Sequence, residues 1–406
     1  LVGSEMCIRD RPMRKTLISL TGPAFVAAVA YVDPGNVAAN ISAGSHYGYL
    51  LVWVLVVANL MAMFIQYHSA KLGLVTHRSL PEIMGERLSR RARLGMWAQA
   101  ELIAAATDLA EVIGGAIALQ LLFNLPLFAG ALIIGAVSII LLIFQKKNQW
   151  FEGLVIGLLL VICIGFLAGL AIAPPDPADV AGGLIPRLEG KDSILLAASM
   201  LGATVMPHAI YLHSSLTKQR YPDLEIPHVL AGTRADIAVA LSIAGLVNVG
   251  LLVLAGSALY GVDGTETISG AHTAIASHLG PLAGVLFAIG LLASGLASTS
   301  VGAYAGSEIM DGLLHIKVPL LVRRLVTLIP ALVIIGCGVD PTMALVVSQA
   351  LLSLGIPFAI IPLFRYAGSR DVMGEFAAKP WSMAVGWTLA ALVIALNLAL
   401  VLLPLL

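Results

Sequence analysis

The feature that most constrains this chain is a series of long apolar stretches that recurs over almost its whole length. Of its 406 residues, 59% are hydrophobic and 11% are charged, whereas soluble domains carry roughly 25% charged residues. Each stretch is close to the roughly 20 residues that a helix needs to cross a bilayer. The short alternating strands of a membrane β-barrel do not appear in the sequence. The sequence therefore predicts an all-α polytopic membrane protein.

We predict eleven transmembrane helices, joined by short connections apart from polar stretches near 71–96, 174–192, 217–235 and 261–281. The predicted helices cover 17–43, 48–70, 97–122, 126–145, 151–173, 193–216, 236–260, 282–310, 321–339, 343–365 and 381–404. The polar first segment, 1–13, resembles neither a signal peptide nor a helix, and we expect it to be unstructured or non-native.

The lysine and arginine residues indicate how the chain lies in the membrane. If the N-terminus is cytoplasmic, 21 of the 23 basic residues fall inside or at the inner boundary, and only Arg187 and Lys191 fall outside. This is the bias that the positive-inside rule describes. We therefore expect a multi-pass protein of a bacterial-type cytoplasmic membrane, embedded in the lipid bilayer, with its C-terminus on the extracytoplasmic side.

Composition and motif content argue against several other classes of function. The formal net charge is zero, so no basic excess suggests nucleic-acid binding. No Cys-x-x-Cys or Cys/His cluster suggests a zinc, haem or iron–sulfur site. An intramembrane hydrolase would need a positioned nucleophile and base, or a zinc motif such as His-Glu-x-x-His, and neither appears. We expect a protein that is not an enzyme, needs no cofactor and has no obligate protein partner.

The first predicted helix contains the sequence Asp-Pro-Gly-Asn at 33–36. An anion near mid-membrane costs roughly 2.5–3.5 kcal/mol on insertion scales. Pro34 removes a backbone donor, and Gly35 tolerates backbone angles that other residues resist. Irregular backbone survives in hydrocarbon only around a protein-lined cavity. A simple proline kink, with Asp33 bonded to a neighbouring helix, is one interpretation; we favour an interrupted helix whose Asp33, Asn36 and freed carbonyls face a binding site.

The sixth predicted helix carries a second interruption between Gly202 and Pro207, with Met206 and His208 beside the proline. Helices one and six each begin a set of five, and an odd number per set inverts the second set across the membrane. Interrupted helices in corresponding positions of inverted repeats point to a transporter's binding site. We therefore divide the chain into a first five-helix repeat, a second inverted repeat and an eleventh helix, at 14–173, 193–366 and 381–406.

The residues at the two interruptions predict a site with mixed oxygen and sulfur donors. Asp33, Asn36 and unwound carbonyls offer hard oxygen atoms, and Met206 offers a soft thioether. Mg²⁺ and Ca²⁺ favour all-oxygen shells, whereas sulfur shifts the preference toward softer transition metals. Such a site suits Mn²⁺ or Fe²⁺ and admits Cd²⁺. Methionine also commonly fills gaps in apolar cores, so packing is the alternative role of Met206.

These motifs resemble those of the natural resistance-associated macrophage protein (NRAMP) family of proton-coupled divalent metal transporters, over nearly the whole chain from about residue 14. The resemblance lies in DPGN of helix one, GATVMPHAIYLHSSL of helix six, TDLAEVIGGAIAL of helix three and SQALLSLGIPFAIIPL of helix ten. It implies a LeuT-type fold and import of Mn²⁺ or Fe²⁺ with protons by alternating access. A LeuT-type transporter of an amino acid or other small organic solute is the alternative, although such sites usually need small residues around the solute.

The resemblance also implies roles for individual residues at the interruptions. The side chains of Asp33, Asn36 and Met206 correspond to the family's metal ligands. The carbonyls of Ala30 and Ala203 correspond to its backbone ligands in different states. Gln349 matches a glutamine that joins the site in some conformations. The residues that support the two interruptions are Pro34, Gly35 and Pro207.

Helix three carries Glu101, Asp108 and Glu111, whose offsets of 7 and 3 place them near one face of the helix. Intramembrane carboxylates more often mark ion or proton routes, although they can be neutral or paired for packing. The resemblance makes Glu111 and Asp108 candidates for a proton pathway, whereas Glu101 lies nearer the cytoplasmic end. It adds a basic pair of helix nine, Arg323 and Arg324, which in the alternative interpretation merely snorkels to the interface.

Three further residues complete the candidate set, and Asp33 has a second candidate role. His208 could titrate near neutral pH, and Asp33 could exchange a proton for metal. Gln66 is a candidate for an external gate. His213 is a candidate for supporting the inner half of helix six, in a structural or a coupling role. The sequence does not distinguish Mn²⁺ from Fe²⁺ as the preferred ion, nor does it define the proton stoichiometry or the oligomeric state.

Overall fold

The structure is a computed structural model that describes residues 22–144, 148–220 and 224–402. Within these ranges the chain is helical and contains no β-strand. The segment 1–13, expected to be unstructured or non-native, lies outside the described residues. The helices are α1 (Pro23–Val29), α2 (Pro34–Tyr47), α3 (Val52–Thr76), α4 (Leu80–Arg87), α5 (Arg90–Phe123), α6 (Leu127–Phe144), α7 (Asn148–Ile172), α8 (Pro177–Gly182), α9 (Gly190–Thr204), α10 (Pro207–Thr217), α11 (Ile226–Ala258), α12 (Ile268–Leu279), α13 (Pro281–Leu314), α14 (Leu320–Gly336), α15 (Pro341–Ala367), α16 (Arg370–Met373) and α17 (Pro380–Leu402).

Within the described residues, each of the eleven predicted transmembrane helices corresponds to one long helix or to an interrupted pair. The pairs are α1 with α2 for helix one, and α9 with α10 for helix six. By length and composition, eight helices of the described residues could cross a membrane, namely α3, α5, α7, the α9–α10 pair, α11, α13, α15 and α17. The predicted all-α polytopic class, with helices one and six interrupted, is confirmed.

The polar connections contain more helix than the sequence predicts. The stretch 71–96 contains α4, which begins with a capping box between Ser79 and Glu82. The Leu80 amide donates to the Ser214 hydroxyl at 2.9 Å, and Lys218 Nζ lies 2.8 Å from Glu82. Burial acts to raise the pKa of Glu82, but the hydrogen bonds from Lys218 and the Ser79 amide outweigh it, so the pKa lies below its usual value. These contacts attach α4 to the end of α10.

The first interruption begins where α1 gives way to a short 3-10 turn, Ala30–Val32. Asp33 is extended, with φ −74° and ψ 166°, and its side chain accepts a hydrogen bond from the Asn36 amide, which makes Asp33 the N-cap of α2. Pro34 occupies the first position of α2, where the missing N–H costs least. The motif at 33–36 therefore stops one helix and starts another.

The second interruption has the same organisation. Helix α9 ends at Thr204, and Val205 and Met206 are extended. Pro207 then occupies the first position of α10. Unlike Asp33, Met206 caps its helix without a side-chain hydrogen bond. Two proline-started helices thus face the centre of the bundle.

Helix α5 approaches the first interruption at a glycine. A Cβ atom on Gly114 would lie 2.2 Å from Pro34 Cβ and 2.3 Å from Pro34 Cγ. The proline ring is rigid and lies at the start of α2, so it cannot move aside without moving the helix. Gly114 therefore allows α5 to lie directly against the break.

We expect Gly114→Ala to lower the free energy of unfolding by about 1–3 kcal/mol, the usual cost of overpacking a close-packed interior. The matched control is Gly157→Ala in α7, because an added Cβ there has nothing within 4 Å. That control should be neutral or slightly stabilising, since alanine favours a helix over glycine. Thermal unfolding of the purified proteins in detergent compares the two; equal midpoints for both variants would contradict the proposed contact.

Candidate metal-binding site

The two prolines of the interruptions remove the usual α-helical donors of two carbonyls. In an α-helix each N–H bonds to the carbonyl four residues earlier, and proline has no N–H. Pro34 therefore cannot donate to the Ala30 carbonyl, and Pro207 cannot donate to the Ala203 carbonyl. These are the two carbonyls that the family resemblance singled out. The Ala203 oxygen instead accepts a hydrogen bond of 3.0 Å from Asn36 Nδ2, which connects the two breaks directly.

Asp33 is buried at the centre of this arrangement. Its Oδ1 atom accepts from the Asn36 amide at 2.8 Å and from Asn36 Nδ2 at 2.7 Å, and its Oδ2 atom lies 3.5 Å from Gln349 Nε2. No lysine, arginine or histidine forms an ion pair with Asp33 among the described residues. A buried carboxylate without a counter-charge is unfavourable, and a bound cation would relieve it.

Asn36 is oriented by the same contacts. Its two amide hydrogens are used by Asp33 and by the Ala203 carbonyl, which leaves Oδ1 as the acceptor. Thr204 Oγ1 approaches this oxygen at 3.4 Å, a long contact. The Asn36 oxygen is therefore the group of this side chain that is free to bind a cation.

Gly35 has a different role from the one expected. It lies inside α2 without a positive φ, so the structure does not use its conformational freedom. Instead, a Cβ on Gly35 would lie 1.6 Å from Gln349 Nε2. The missing side chain makes room for Gln349 to reach Asp33. The Oε1 atom of Gln349 is buried and has no hydrogen-bond partner in the described part of the chain, so a second oxygen is available there.

Met206 is completely buried at the second interruption. It belongs to the same apolar cluster as Ala30, Tyr31 and Val32 of the first interruption. The two roles that the sequence left open, ligand and core packing, are both compatible with this position. His208, also buried, has no hydrogen-bond partner at either ring nitrogen within the described residues.

The site has access to solvent from one end of the bundle. A cavity of about 300 Å³, which we call the vestibule, is lined by Gly35 and Gln349 as well as by Ser42 of α2. Two exposed carboxylates also line it, Glu266 before α12 and Asp340 before α15. The vestibule therefore joins the acidic loops at this end to the residues next to Asp33.

The opposite side of the site is closed by a hydrogen-bonded chain. Gln66 Nε2 donates to the Tyr31 hydroxyl at 2.6 Å, and Gln66 Oε1 lies 2.8 Å from His213 Nδ1. All three side chains are buried. Gln66 is expected at an external gate, but it lies with His213, the residue expected on the inner half, and not among the residues that line the vestibule, so its gate role stays a prediction. Position along α3 alone could not show which neighbours Gln66 would meet.

A second group of buried charges lies between α5 and α14. Arg324 forms an ion pair with Asp108 and donates to Ser138 Oγ, while Arg323 lies 3.2 Å from Glu101. The arginines are 4% and 1% exposed, so the interpretation that they snorkel to the interface is wrong. The acids of α5 meet basic partners from a helix about 200 residues away.

Glu111 is the acid of this stripe that lacks such a partner. It is fully buried, and neither carboxylate oxygen has a hydrogen-bond partner among the described residues. Helix α13 passes close to the carboxylate, since a Cβ on Gly302 would lie 3.4 Å from Glu111 Oε2. Glu111 thus lies between the paired charges of Asp108 and the unpaired Asp33.

The candidate ligands differ in kind from a cluster of titratable side chains. Among the described residues, no three histidine, cysteine, aspartate or glutamate side chains come together as a metal site. The candidate ligands are instead one carboxylate, two side-chain amides, one thioether and two carbonyls.

Comparison with known proteins identifies the family. The family described as natural resistance-associated macrophage protein-like matches residues 24–403. The chain belongs to the Nramp family. It is 54% identical over 403 residues to the protein named divalent metal cation transporter MntH of Mycobacterium tuberculosis H37Rv, covering 98% of this chain and 94% of the relative. The protein of the same name from Bacillus subtilis is 44% identical over 392 residues, covering 95% of this chain and 92% of the relative.

Solved structures place the Nramp chain in the predicted fold. A mutant form of the manganese transporter of Eremococcus coleocola matches with a TM-score of 0.86 at 32% identity, covering 96% of this chain and 87% of that one. Mhp1, a nucleobase-cation-symport-1 family transporter, matches with a TM-score of 0.58 at 16% identity, over 94% of this chain and 91% of that one. The second likeness concerns the fold alone, and it agrees with the LeuT-type fold predicted for this multi-pass membrane protein.

Sequence reasoning missed the residues that hold the first interruption in place. Asn248 Nδ2 donates to the Tyr31 carbonyl at 2.7 Å, and Ser294 Oγ donates to the Val32 carbonyl at 2.5 Å. These two side chains satisfy two backbone carbonyls of the 3-10 turn itself. The available signal was an asparagine in the middle of an otherwise apolar span, because such polar residues in membrane helices commonly bond to a neighbouring helix.

Proposed function

We propose that this Nramp protein imports divalent transition metal ions, Mn²⁺ or Fe²⁺ and also Cd²⁺, together with protons. The observation that carries the proposal is the buried Asp33, which has no counter-charge among the described residues and lies next to Gly35 and Gln349, two residues that line the vestibule. The names of the relatives, two divalent metal cation transporters and a manganese transporter, support the same cargo. The metal is the substrate, and we propose no cofactor, enzymatic activity or obligate protein partner.

We propose Asp33, Asn36, Met206 and the carbonyls of Ala30 and Ala203 as the ligand set, with Gln349 as a further oxygen donor. Oxygen donors alone would suit Mg²⁺ or Ca²⁺, whereas a thioether favours softer ions. An amino acid substrate fits this site less well, because its carboxylate would meet the Asp33 carboxylate. The proposed selectivity therefore depends on Met206 acting as a ligand and not only as a core residue.

We propose that transport proceeds by alternating access and that the present conformation is open to the outside. The positive-inside bias puts the vestibule, with Glu266 and Asp340, on the extracytoplasmic side. The buried chain of Tyr31, Gln66 and His213 then closes the cytoplasmic side. An ion that enters through the vestibule would reach Asp33 first, and its release inward would require the hydrogen bonds of that chain to break.

We propose that the proton leaves the site along α5, by way of Glu111 and Asp108 and past the arginines 323 and 324. Glu111 is the buried acid that lies between Asp33 and the ion-paired Asp108, and it has no hydrogen-bond partner among the described residues to hold it in one state. His208 is a further titratable group, and it lies beside the second interruption. Glu101, paired with Arg323, would lie at the far end of the route.

Removing the charge of Asp33 tests the site. We expect Asp33→Asn to weaken Mn²⁺ binding roughly 10- to 100-fold, the equivalent of one charge-assisted interaction, and to abolish Mn²⁺ uptake into proteoliposomes. Asp263→Asn, which removes an exposed charge outside the site, should bind and transport like the unmutated protein. Calorimetric titration with Mn²⁺ measures the binding. Unchanged affinity in Asp33→Asn would remove Asp33 from the ligand set.

Truncating Met206 tests the origin of selectivity. We expect Met206→Ala to retain part of the Mn²⁺ uptake while Ca²⁺ or Mg²⁺ in excess becomes an effective competitor, because only oxygen donors are left. Met200→Ala is the matched control, since Met200 is equally buried on α9 and lies away from the interruption. If Ca²⁺ already competes equally with Mn²⁺ in the unmutated protein, the selectivity argument is wrong.

Neutralising Glu111 tests the proton route. We expect Glu111→Gln to reduce internal acidification relative to metal flux, measured with a pH-sensitive dye trapped in Mn²⁺-importing proteoliposomes. Glu189→Gln changes an exposed acid and should leave the ratio unaltered. Acidification that keeps pace with metal entry in Glu111→Gln would exclude Glu111 from the route.

A further inference from the structure

Helix α15 contains two internal prolines, Pro357 and Pro362. Each removes the N–H that would bond to the carbonyl four residues earlier, so Ser353 and Phe358 lose their helical partners. An unpaired carbonyl is costly inside a membrane protein, where water does not replace the missing donor. The donors for these two carbonyls must therefore come from elsewhere.

The first carbonyl is satisfied by the eleventh transmembrane helix. Asn397 of α17 donates from Nδ2 to the Ser353 carbonyl at 2.6 Å, and its Oδ1 accepts from the Ser353 hydroxyl. Both residues are buried. Both the amide nitrogen and the oxygen of Asn397 thus bond to Ser353, the residue whose carbonyl loses its helical donor to Pro357.

The second carbonyl is satisfied by the helix that begins at the binding site. The Tyr211 hydroxyl of α10 donates to the Phe358 carbonyl at 3.0 Å. Tyr211 is buried and lies one turn after Pro207. Each proline of α15 is therefore matched by one side-chain donor from another helix.

The first break separates two parts of α15 with different surroundings. The part before it carries Pro341, Thr342, Leu345 and Gln349, all of which line the vestibule. The break also touches the second interruption, because a Cβ on Gly202 would lie 2.5 Å from Ser353 Oγ. A change of angle at this break would move the vestibule wall and Gln349 together.

We propose that Asn397 and Tyr211 are positioning residues that replace the donors lost to Pro357 and Pro362 and hold the vestibule-lining part of α15 in its open position. The eleventh helix, which stands outside the two five-helix sets, acts on the site through Asn397. The consequence for metal transport rests on the proposed function. The consequence for the shape of the vestibule does not.

The test measures access to the vestibule in purified protein. The background protein carries Thr342→Cys, and Cys7, Cys163 and Cys337 are replaced by alanine. The measured quantity is the rate at which a water-soluble maleimide modifies the cysteine at position 342. Asn397→Leu keeps the branched shape but removes the donor. We expect modification to be about five- to tenfold slower, the shift that the loss of one hydrogen bond to a buried carbonyl produces.

Crossed rescue distinguishes a specific donor from general packing. Pro357→Ala supplies an N–H to the Ser353 carbonyl and should restore the rate in Asn397→Leu, whereas Pro362→Ala should not. The reciprocal pattern is expected for Tyr211→Phe, which Pro362→Ala should rescue and Pro357→Ala should not. Ser353→Ala keeps the bond between the Asn397 amide and the carbonyl, and it should behave like the background protein.

The outcomes separate the two proposals. An unchanged rate in Asn397→Leu, or equal rescue by both proline replacements, would overturn the positioning role. If Asn397→Leu does not fold, Tyr211→Phe, which removes a single oxygen atom, decides the question at the second break.

Uptake of Mn²⁺ is measured in the same proteins reconstituted in liposomes. If none of them takes up Mn²⁺, the proposed function fails, while the modification rates still decide the role of Asn397 and Tyr211.

Discussion

The hydrogen bond between the Asp33 carboxylate and the Asn36 amide determines how the centre of this protein can be built. It makes Asp33 the N-cap of α2, where the aligned peptide dipoles favour a negative charge. Because only Oδ1 is used by Asn36, Oδ2 stays directed toward Gln349. The same interaction therefore starts the helix, stabilises an ionised carboxylate in an apolar bundle and leaves one of its oxygens available to a ligand.

Glycine and proline together create the space around this carboxylate. Pro34 and Pro207 each remove the N–H that would bond to the carbonyl four residues earlier. Gly35 leaves room for Gln349, and Gly114 leaves room for α5 to pack against the first interruption. None of these residues supplies a side-chain donor atom. The geometry of the site is thus set mainly by residues that remove something, either a backbone N–H or a side chain.

Local pattern was sufficient to predict the parts of the structure that local physics determines. A helix breaker inside an apolar span predicted both interruptions, which the structure shows. The ligand roles of Asp33, Asn36 and Met206 rest on donor chemistry and stay a prediction. The partners that lie far apart in the chain were not predictable. Nothing near Gln66 indicates that it meets Tyr31 and His213, and only the family resemblance, not the local sequence, associates Arg324 with Asp108. Short helices such as α4 were missed because their stability comes from caps and docking contacts and not from an apolar period.

The buried acids Asp33 and Asp108 differ in whether a basic side chain neutralises them, and this difference suits the proposed transport of a metal ion and a proton. Asp108 is neutralised by Arg324, whereas Asp33 has no counter-charge among the described residues and Glu111 lies within electrostatic reach of both acids. A divalent cation at Asp33 would reverse the sign of the charge that Glu111 experiences from that side, and at short range in a poorly screened interior this effect is large. Under the proposed function, arrival of metal and departure of a proton would then be linked by electrostatics alone. The linkage requires Asp33 to lack a permanent partner, since an arginine there would bind in place of the metal and cancel the signal to Glu111.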